Sequence, residues 1–203
     1  MIVLGLTGSI GMGKSTTATL FKDAGAAVYD ADAAVHALYQ EGGAAVEPLG
    51  DAFPGCIEDG AVNRTKLREA VIDNPDAFNR LNAIVHPLVG ATEFSFRQSA
   101  FESGAALAVL DIPLLFESKG EGRCDYTCVV TAPAEVQRQR VLARPGMDEE
   151  ILKGILDRQV PDSEKRARAD FIISTAFGVE FAKDQVEAIT KLLTRLDQGN
   201  KSA

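Results

Sequence analysis

The sequence contains the stretch Gly8-Ser9-Ile10-Gly11-Met12-Gly13-Lys14-Ser15, which fits the pattern G-x-x-x-x-G-K-[S/T], and Thr16 follows it. An apolar, strand-like run from Ile2 to Thr7 precedes this stretch, and a helical pattern begins at Lys14. A strand, a glycine-rich loop and a helix in this order are the setting that a phosphate-binding loop requires. Glycines allow backbone N–H groups to converge on one point, where they and the helix N-terminus can hold a polyphosphate. The stretch therefore predicts an α/β fold that binds a nucleotide.

Two side chains of this loop have specific predicted roles. Lys14 is predicted to bridge the β- and γ-phosphates of the nucleotide, and Ser15 is predicted to ligate Mg²⁺. The alternative is a glycine turn that carries an incidental lysine, but the strand and helix on either side favour the nucleotide site. The other residues predicted to contact the nucleotide from this loop are Gly8, Gly11, Met12, Gly13 and Thr16.

Short apolar runs alternate with helical patterns along the chain. Continuous apolar character is typical of strands covered by helices on both faces. The alternation predicts βαβ units and hence a three-layer α/β fold with a five-stranded parallel sheet. The first helix is predicted to run from Lys14 to about Ala24, with Gly25 as its stop. The predicted strands are Ile2–Thr7, Ala26–Asp30, Ala105–Asp111, Tyr126–Thr131 and Phe171–Ser174.

Two long segments interrupt this alternation within a single predicted domain, residues 1–203. The segment between the second and third strands is too long for one crossover and mostly helical in pattern, so we expect an inserted helical lobe over about residues 33–104. Residues 133–168 form a second polar helical segment, in which arginines concentrate. The last part of the chain is predicted to form an amphipathic helix over residues 180–196 and a frayed end over 197–203.

Acidic side chains stand at the ends of two predicted strands. Asp30 ends the second strand and Asp32 lies two residues further on, and Asp111 ends the third strand. Since the carboxyl ends of parallel strands face the ligand crevice, we expect these carboxylates near the bound phosphates. Asp32 is a candidate base for the acceptor hydroxyl, and Asp30 or Asp111 could hold metal-bound water. The alternatives are that Asp32 caps a helix from Ala33 to Gln40 and that Asp111 only marks the end of its strand.

Arginines and one histidine complete the candidate site. Arg140 and Arg144 are four residues apart, so we expect them to share a helix face from which two guanidinium groups reach the transferring phosphate. The alternative is a solvated face with salt bridges. His86 precedes Pro87, and on spacing alone this pair is more typical of a turn that ends a helix than of a catalytic histidine.

The composition excludes several classes of protein. Lys plus Arg is 21 and Asp plus Glu is 29, so the net charge of −8 argues against a nonspecific nucleic-acid binder. The three cysteines include Cys124 and Cys128, but with two histidines in the chain a zinc site has few ligands to draw on. No signal peptide or membrane span is evident, and we expect a cytoplasmic protein that is a monomer or a weak homo-oligomer.

The combination of parts points to a small-molecule kinase. No Asn-Lys-x-Asp guanine-reading element occurs in the sequence, which disfavours a GTPase. The sheet, the inserted lobe and the arginine-bearing segment correspond to the core, the substrate lobe and the lid of an enzyme like the nucleoside monophosphate kinases. These features do not name the acceptor. Another small-metabolite kinase and a nucleotide-dependent switch or regulatory ATPase remain as alternatives.

Motifs along nearly the whole chain resemble those of the dephospho-coenzyme A (dephospho-CoA) kinase family. The most specific are the run Pro113-Leu114-Leu115-Phe116-Glu117 and the upstream His86-Pro87, beside the loop and Asp30-Ala31-Asp32. The resemblance implies a P-loop kinase fold, ATP and Mg²⁺ as cofactors, and phosphorylation of the ribose 3′-hydroxyl of dephospho-CoA, the last step of CoA synthesis. Further matches in the family's order are Asn63-Arg64, Leu67-Arg68, Leu81-Asn82, and Gln159 through Lys165-Arg166 to Ala169-Asp170.

The resemblance also assigns roles to single residues. It makes Asp32 the base and Arg140 the lid arginine. It places Thr7, His86, Pro113, Leu114 and Leu115 where the family shapes the acceptor pocket. One position departs from the family, since Thr175 stands where an asparagine is common near the adenine. The resemblance therefore leaves the adenine contacts at this position open.

Overall fold

The computed structural model describes residues 1–201, with side chains to residue 199, and its main feature is a five-stranded sheet. The strands lie in the order β2-β5-β1-β6-β7. β1 runs parallel to both β5 and β6, and β6 runs parallel to β7. The predicted five-stranded parallel sheet is confirmed. Its strands are β1 (Ile2–Thr7), β2 (Ala27–Asp30), β5 (Leu107–Asp111), β6 (Tyr126–Thr131) and β7 (Phe171–Ser174), and a separate hairpin joins β3 (Ile57–Glu58) to β4 (Ala61–Val62).

The second and third predicted strands begin later than expected, because their first residues end the preceding helices. The backbone N–H of Ala26 donates to the carbonyl of Phe21, and that of Ala105 donates to the carbonyl of Ala100, each over 3.0 Å. The glycine before each of these alanines has a positive φ, 91° at Gly25 and 80° at Gly104. This is the glycine-dependent way in which many helices stop. Gly25 is therefore confirmed as the stop of the first helix.

The chain divides into two compact units. The sheet unit comprises Met1–Tyr29 together with the chain from Ala100 onward, and the helical unit comprises Asp30–Ser99. The core of the sheet unit is formed by apolar side chains of the strands, such as the fully buried Leu4 and Val130. The helices that belong wholly to the sheet unit are α1 (Lys14–Asp23), α6 (Ala134–Leu142), α7 (Glu149–Leu156), α8 (Asp162–Arg168) and α9 (Val179–Lys201).

The predicted frayed end is wrong for residues 197–201, since α9 continues to Lys201. The reason is a buried ion pair, in which Asp197 accepts a hydrogen bond from the amino group of Met1 over 2.6 Å. The ion pair holds the face of α9 that carries Asp197 beside the amino group of Met1. The last two residues of the predicted frayed end, 202 and 203, lie outside the described residues.

The helical unit has a core of its own, built around the buried side chains of Leu38, Leu49 and Leu67. It also contains the β3–β4 hairpin, which was not predicted. Asp59 and Gly60 form the turn of this hairpin, with φ of 48° and 75°, and an Asp-Gly pair is the usual signal for such a turn. Its elements besides the hairpin are α2 (Ala31–Tyr39), α3 (Val46–Ala52), α4 (Arg64–Val71) and most of α5 (Pro75–Glu102).

One local prediction and one alternative for this unit are wrong. The predicted turn at His86-Pro87 does not end a helix, since α5 runs through Pro87 without interruption. Burial of apolar side chains along the helix, such as Val85, offsets the backbone hydrogen bond that the proline cannot donate. Helix α2 is capped by Asp30 and not by Asp32, because Asp30 Oδ1 accepts from the backbone N–H of Ala33 over 2.9 Å.

Among the helices of residues 1–201, none is both long and apolar enough to cross a membrane.

Candidate active site

The loop between β1 and α1 depends on glycine at two positions. Gly11 and Gly13 have φ of 77° and 93°, a region that residues with side chains rarely adopt. Gly11 is also tightly enclosed, since a Cβ there would lie 2.5 Å from the side chain of Val141. The left-handed Gly13 directly precedes Lys14, the first residue of α1. The chain therefore needs glycine here both for backbone conformation and for space.

Side chains from more distant parts of the sheet unit hold the backbone of this loop. Gln137 donates to the carbonyl of Ile10 over 2.8 Å, and Gln159 accepts from the N–H of Ile10 over 3.2 Å. Thr175 donates its hydroxyl to the carbonyl of Met12 over 2.8 Å. Because the C=O and N–H of a trans peptide point in opposite directions, each carbonyl held in this way also fixes the direction of the next N–H. The loop amides are thus oriented before any ligand binds.

Met12, which was predicted to contact the nucleotide, is buried, with 2% of the residue exposed. Its sulfur accepts a hydrogen bond from the backbone N–H of Ala132 over 3.1 Å. The backbone of Met12 is engaged as well, since its N–H donates to the carbonyl of Ser9 over 3.2 Å and its carbonyl accepts from Thr175 over 2.8 Å. Sequence reasoning did not find Gln137, because a hydrogen bond between residues 127 positions apart leaves no local signal.

Two predicted site residues, Lys14 and Asp111, meet in the structure. Lys14 Nζ lies 2.5 Å from Asp111 Oδ1, and the side chain of Asp111 is 6% exposed. Asp111 is thus more than the last residue of a strand, since its charge holds the loop lysine. A low-exposure ion pair of this kind stabilises the lysine ammonium group at the carboxyl end of the sheet.

Ser15 and Thr16 are exposed at the start of α1. The hydroxyl of Ser15 and the carboxylate of Asp111 are hard oxygen donors, which is the ligand type that Mg²⁺ prefers. Residues 1–201 contain no group of three or more His, Cys, Asp and Glu that could hold a metal ion by themselves. The donors present therefore fit a Mg²⁺ ion that takes its remaining ligands from phosphates and water.

A cleft of about 330 Å³ opens beside the loop. Arg140 and Arg144 both line it, but they do not share a helix face as predicted, because α6 ends at Leu142 and Arg144 lies beyond it. Arg140 is held by Thr175, to which it donates from Nη1 to the hydroxyl over 2.7 Å and from Nη2 to the carbonyl over 2.8 Å. The remaining residues that line the cleft are Gly11, Gly13, Thr16, Thr17, Gly178, Val179 and Ala182.

The residues predicted to shape the acceptor pocket from the sheet unit differ in accessibility. Thr7 is fully buried and donates its hydroxyl to the carbonyl of Pro113 over 3.0 Å, which ties the end of β1 to the segment after β5. Leu115 is also fully buried, whereas Leu114 is 46% exposed. Leu114 is thus the one of these two leucines whose side chain can meet a ligand in this structure.

Glu117, at the end of the same segment, connects it to the region after α7. It accepts from the backbone N–H of Val160 over 2.9 Å and forms an ion pair with Lys165 over 2.8 Å. Lys165 is fully buried. A buried pair of charges fixes the two segments to each other, because separating them would leave an uncompensated charge inside the protein.

The predicted site residues of the helical unit are less constrained. Asp32 lies exposed in the first turn of α2, and His86 lies exposed on α5. Asp30 caps α2 and so has a structural role within the unit. Neither Asp32 nor His86 is buried, in contrast to Asp111 in the sheet unit.

Comparisons with known proteins agree with this architecture. The family model described as dephospho-CoA kinase matches residues 2–179. A curated dephospho-CoA kinase from Mesorhizobium japonicum is 58% identical over 189 residues, which cover 93% of this chain and 95% of the relative. The crystal structure of TT1252 from Thermus thermophilus has a TM-score of 0.81 at 34% identity and covers 96% of this chain and 97% of that one.

A more distant solved structure, of a dephospho-CoA kinase from Campylobacter jejuni, shares the fold with a TM-score of 0.64 at 23% identity. It covers 95% of this chain and 97% of that one. The family match spans most of the sequence, and it includes the glycine-rich loop, Asp32, His86 and Arg140. The chain therefore belongs to the dephospho-CoA kinase family.

Proposed function

We propose that this protein transfers the γ-phosphoryl group of ATP to the ribose 3′-hydroxyl of dephospho-CoA, giving CoA and ADP, the final step of CoA synthesis. Family membership supports the choice of substrates. The observation that carries the mechanism is the ion pair between Lys14 and Asp111, which holds an ammonium group beside a loop whose amides are already oriented. Phosphoryl transfer depends mainly on positioning and on charge stabilisation, and this arrangement supplies both.

ATP would be bound by the loop from Gly8 to Thr16. The backbone N–H groups and the N-terminus of α1 would hold the phosphates, and Lys14 would bridge the β- and γ-phosphates. The cleft lined by Thr175, Gly178 and Val179 has room for the nucleoside. Since the loop is held by Gln137, Gln159 and Thr175, little rearrangement of the backbone is needed on binding.

Mg²⁺ would be held by Ser15, with Asp30 or Asp111 contributing through water. The ion would neutralise charge on the β- and γ-phosphate oxygens. Ser15 is exposed at the N-terminal end of α1, where the phosphates would bind, and Asp111 is held in place by its ion pair with Lys14.

The acceptor oxygen would attack the γ-phosphorus while the bond from that phosphorus to the β,γ-bridging oxygen breaks, and ADP leaves. Asp32 would accept the proton of the acceptor hydroxyl. Arg140 and Arg144 would stabilise the charge that develops on the transferring group. Thr7, His86 and the segment Pro113–Leu115 would shape the acceptor pocket, with Leu114 offering the exposed side chain.

The wider assignments are part of the same proposal. The helical segment of about residues 33–104 would bind the acceptor, and the segment of about 133–168 would act as a lid. We place the enzyme in the cytoplasm as a monomer or a weak homo-oligomer. No nucleic acid partner is expected, because the chain has a net charge of −8.

An acceptor panel tests the proposal. The protein is incubated with Mg·ATP and either dephospho-CoA, AMP, shikimate or gluconate, and each product is identified by mass. We expect transfer to dephospho-CoA alone. Selective transfer to another acceptor would overturn the substrate assignment, and ATP hydrolysis without any phosphorylated product would favour a switch or regulatory ATPase.

A further inference from the structure

Thr175 uses all of its polar atoms to join three parts of the sheet unit. Its backbone N–H donates to the carbonyl of Thr131 over 2.9 Å, which anchors it to the end of β6. Its hydroxyl accepts from Arg140 Nη1 over 2.7 Å and donates to the carbonyl of Met12 over 2.8 Å. Its own carbonyl accepts from Arg140 Nη2 over 2.8 Å. The residue is 8% exposed, so these bonds are shielded from water.

The bonds of Thr175 to Met12 and to Arg140 both orient groups that are proposed to bind phosphate. On one side, the bond to Met12 turns that carbonyl towards Thr175, so the N–H of Gly13 points the opposite way. On the other side, the fork-shaped contact with Arg140 fixes the plane of the guanidinium group. A guanidinium has five N–H donors, and Thr175 engages two of them, which leaves three for a phosphate. Thr175 can therefore orient Arg140 without occupying it.

The contact with the loop is also steric. A Cβ at Gly13 would lie 3.2 Å from the methyl group of Thr175, so the methyl group packs directly against the loop backbone. The serine side chain keeps the hydroxyl and lacks this methyl group, whereas valine keeps the methyl group and has a second methyl group in place of the hydroxyl. The two substitutions therefore separate hydrogen bonding from packing.

We propose that Thr175 is a positioning residue for phosphoryl transfer, whose hydroxyl is shared by Arg140 and the phosphate-binding loop and aligns the two with each other. This inference rests on the proposed function, since it assigns Arg140 to the transferring phosphate. Thr175 lines the cleft proposed for the nucleoside, but its N–H, hydroxyl and carbonyl are all engaged by groups of the protein. Its effect on turnover passes through Arg140.

The test measures kcat and the KM for each substrate in Thr175→Val, Thr175→Ser, Arg140→Ala and the double variant Thr175→Val with Arg140→Ala. We expect Thr175→Val to lower kcat about tenfold, as for loss of one hydrogen bond to a charged group, and to leave the KM for dephospho-CoA unchanged. Thr175→Ser should recover most of the lost kcat. In the Arg140→Ala background, Thr175→Val should lower kcat by less than about twofold, because interacting residues are not additive.

Thr127→Val is the matched control. Thr127 is also buried, and its hydroxyl donates to Asp170 over 2.9 Å, but it lies at the other end of β6. This variant should lower the melting temperature and leave kcat unchanged. A similar fall in kcat for Thr127→Val would assign the Thr175 effect to stability alone, and an equal fall in both Arg140 backgrounds would show that Thr175 does not act through Arg140.

A second readout does not depend on activity or on the substrate. Arginine-selective ¹⁵N NMR of the full chain should show slow rotation of the Arg140 guanidinium in wild type and in Thr175→Ser. Rotation should be faster in Thr175→Val, where only the bond from Nη2 to the backbone carbonyl remains. If valine prevents folding, Thr175→Ala replaces it in both experiments. Unchanged rotation would overturn the inference. A wild-type protein that holds Arg140 rigidly but does not phosphorylate dephospho-CoA would instead overturn the proposed function.

Discussion

The site residues of the sheet unit and those of the helical unit are held in different ways. In the sheet unit, Lys14 is paired with Asp111 and Arg140 with Thr175. In the helical unit, Asp32 and His86 are exposed. The difference teaches that the groups proposed for ATP are organised in advance by the fold, whereas Asp32 and His86 owe little of their position to packing. Substitutions of Lys14 should therefore disturb binding and structure together, whereas substitutions of Asp32 should disturb turnover and substitutions of His86 should disturb acceptor binding, with little effect on structure.

The largest effect is expected from Asp32→Asn. Loss of a general base typically lowers turnover about 10² to 10⁴-fold, and the exposed position of Asp32 means that folding should be unaffected. Steady-state kinetics should show this fall in kcat, while calorimetry shows nearly unchanged ATP affinity and an unchanged melting temperature. Asp51→Asn, an exposed aspartate on α3 of the same unit, is the control and should keep full activity. Unchanged turnover in Asp32→Asn would remove the base assignment.

Lys14→Ala tests the sheet unit, in which the site residues are held by other side chains. The lysine contacts nucleotide phosphates in the proposed mechanism and also compensates the low-exposure carboxylate of Asp111. We therefore expect kcat/KM for ATP to fall about 100-fold, together with a measurable loss of stability. Kinetics and thermal unfolding measure the two effects. Lys22→Ala, at the exposed end of the same helix, should change neither, and normal ATP kinetics in Lys14→Ala would contradict the nucleotide site.

A glycine pair separates backbone strain from steric fit in the sheet unit. Gly11 and Gly25 both have positive φ, but a Cβ would clash with Val141 at Gly11 and meet open space at Gly25. Gly25→Ala should cost about 1 kcal/mol of unfolding free energy, and Gly11→Ala about 2 to 4 kcal/mol together with weaker ATP binding. Chemical denaturation and calorimetry measure these values. Equal losses of unfolding free energy at both positions would show that a methyl group fits at Gly11, contrary to the structure.

The smallest effect concerns the pH dependence of stability. Burial raises the pKa of the Cys128 thiol in the sheet unit strongly, and burial also raises the pKa of Cys56 in the helical unit. A raised pKa in the folded state stabilises the protein below the thiol's pKa in the unfolded chain, about 8.5, and this contribution is lost as pH rises above it. The free energy of unfolding, measured from pH 7 to 10, should therefore fall less steeply in Cys128→Ala than in wild type.

Cys56→Ala is the comparison for this measurement, and it should change the slope less than Cys128→Ala does. Equal slopes in wild type and Cys128→Ala would show that the thiol of Cys128 ionises in the folded protein.

The fold could be predicted from the sequence because its signals are local. The apolar runs gave all five strands of the sheet to within two residues, and the loop pattern placed Lys14 at the start of α1. The β3–β4 hairpin carried a local signal as well, Asp59-Gly60, but its strands have only two residues each and left no apolar run to notice.

The hydrogen bonds that hold the phosphate-binding loop in place could not be predicted from the sequence in the same way. Gln137 and Thr175 act on the loop across 127 and 163 positions of sequence, and only the folded chain shows which carbonyls they hold. The turn expected at Pro87 failed because the packing of a long helix outweighed a local preference. Similarly, Asp32 was not the cap of α2 because the helix begins at Ala31, two residues before the predicted start, and spacing fixes a helix boundary only to within a few residues.

The most direct test of the central claim is the position of the new phosphate in the product. Wild-type protein is incubated with Mg·ATP and dephospho-CoA, and the product is analysed by mass and by ³¹P NMR. The account predicts stoichiometric formation of ADP and of a single product phosphorylated on the ribose 3′-hydroxyl. A phosphate on any other oxygen, or ATP consumption without a phosphorylated nucleotide product, would contradict it.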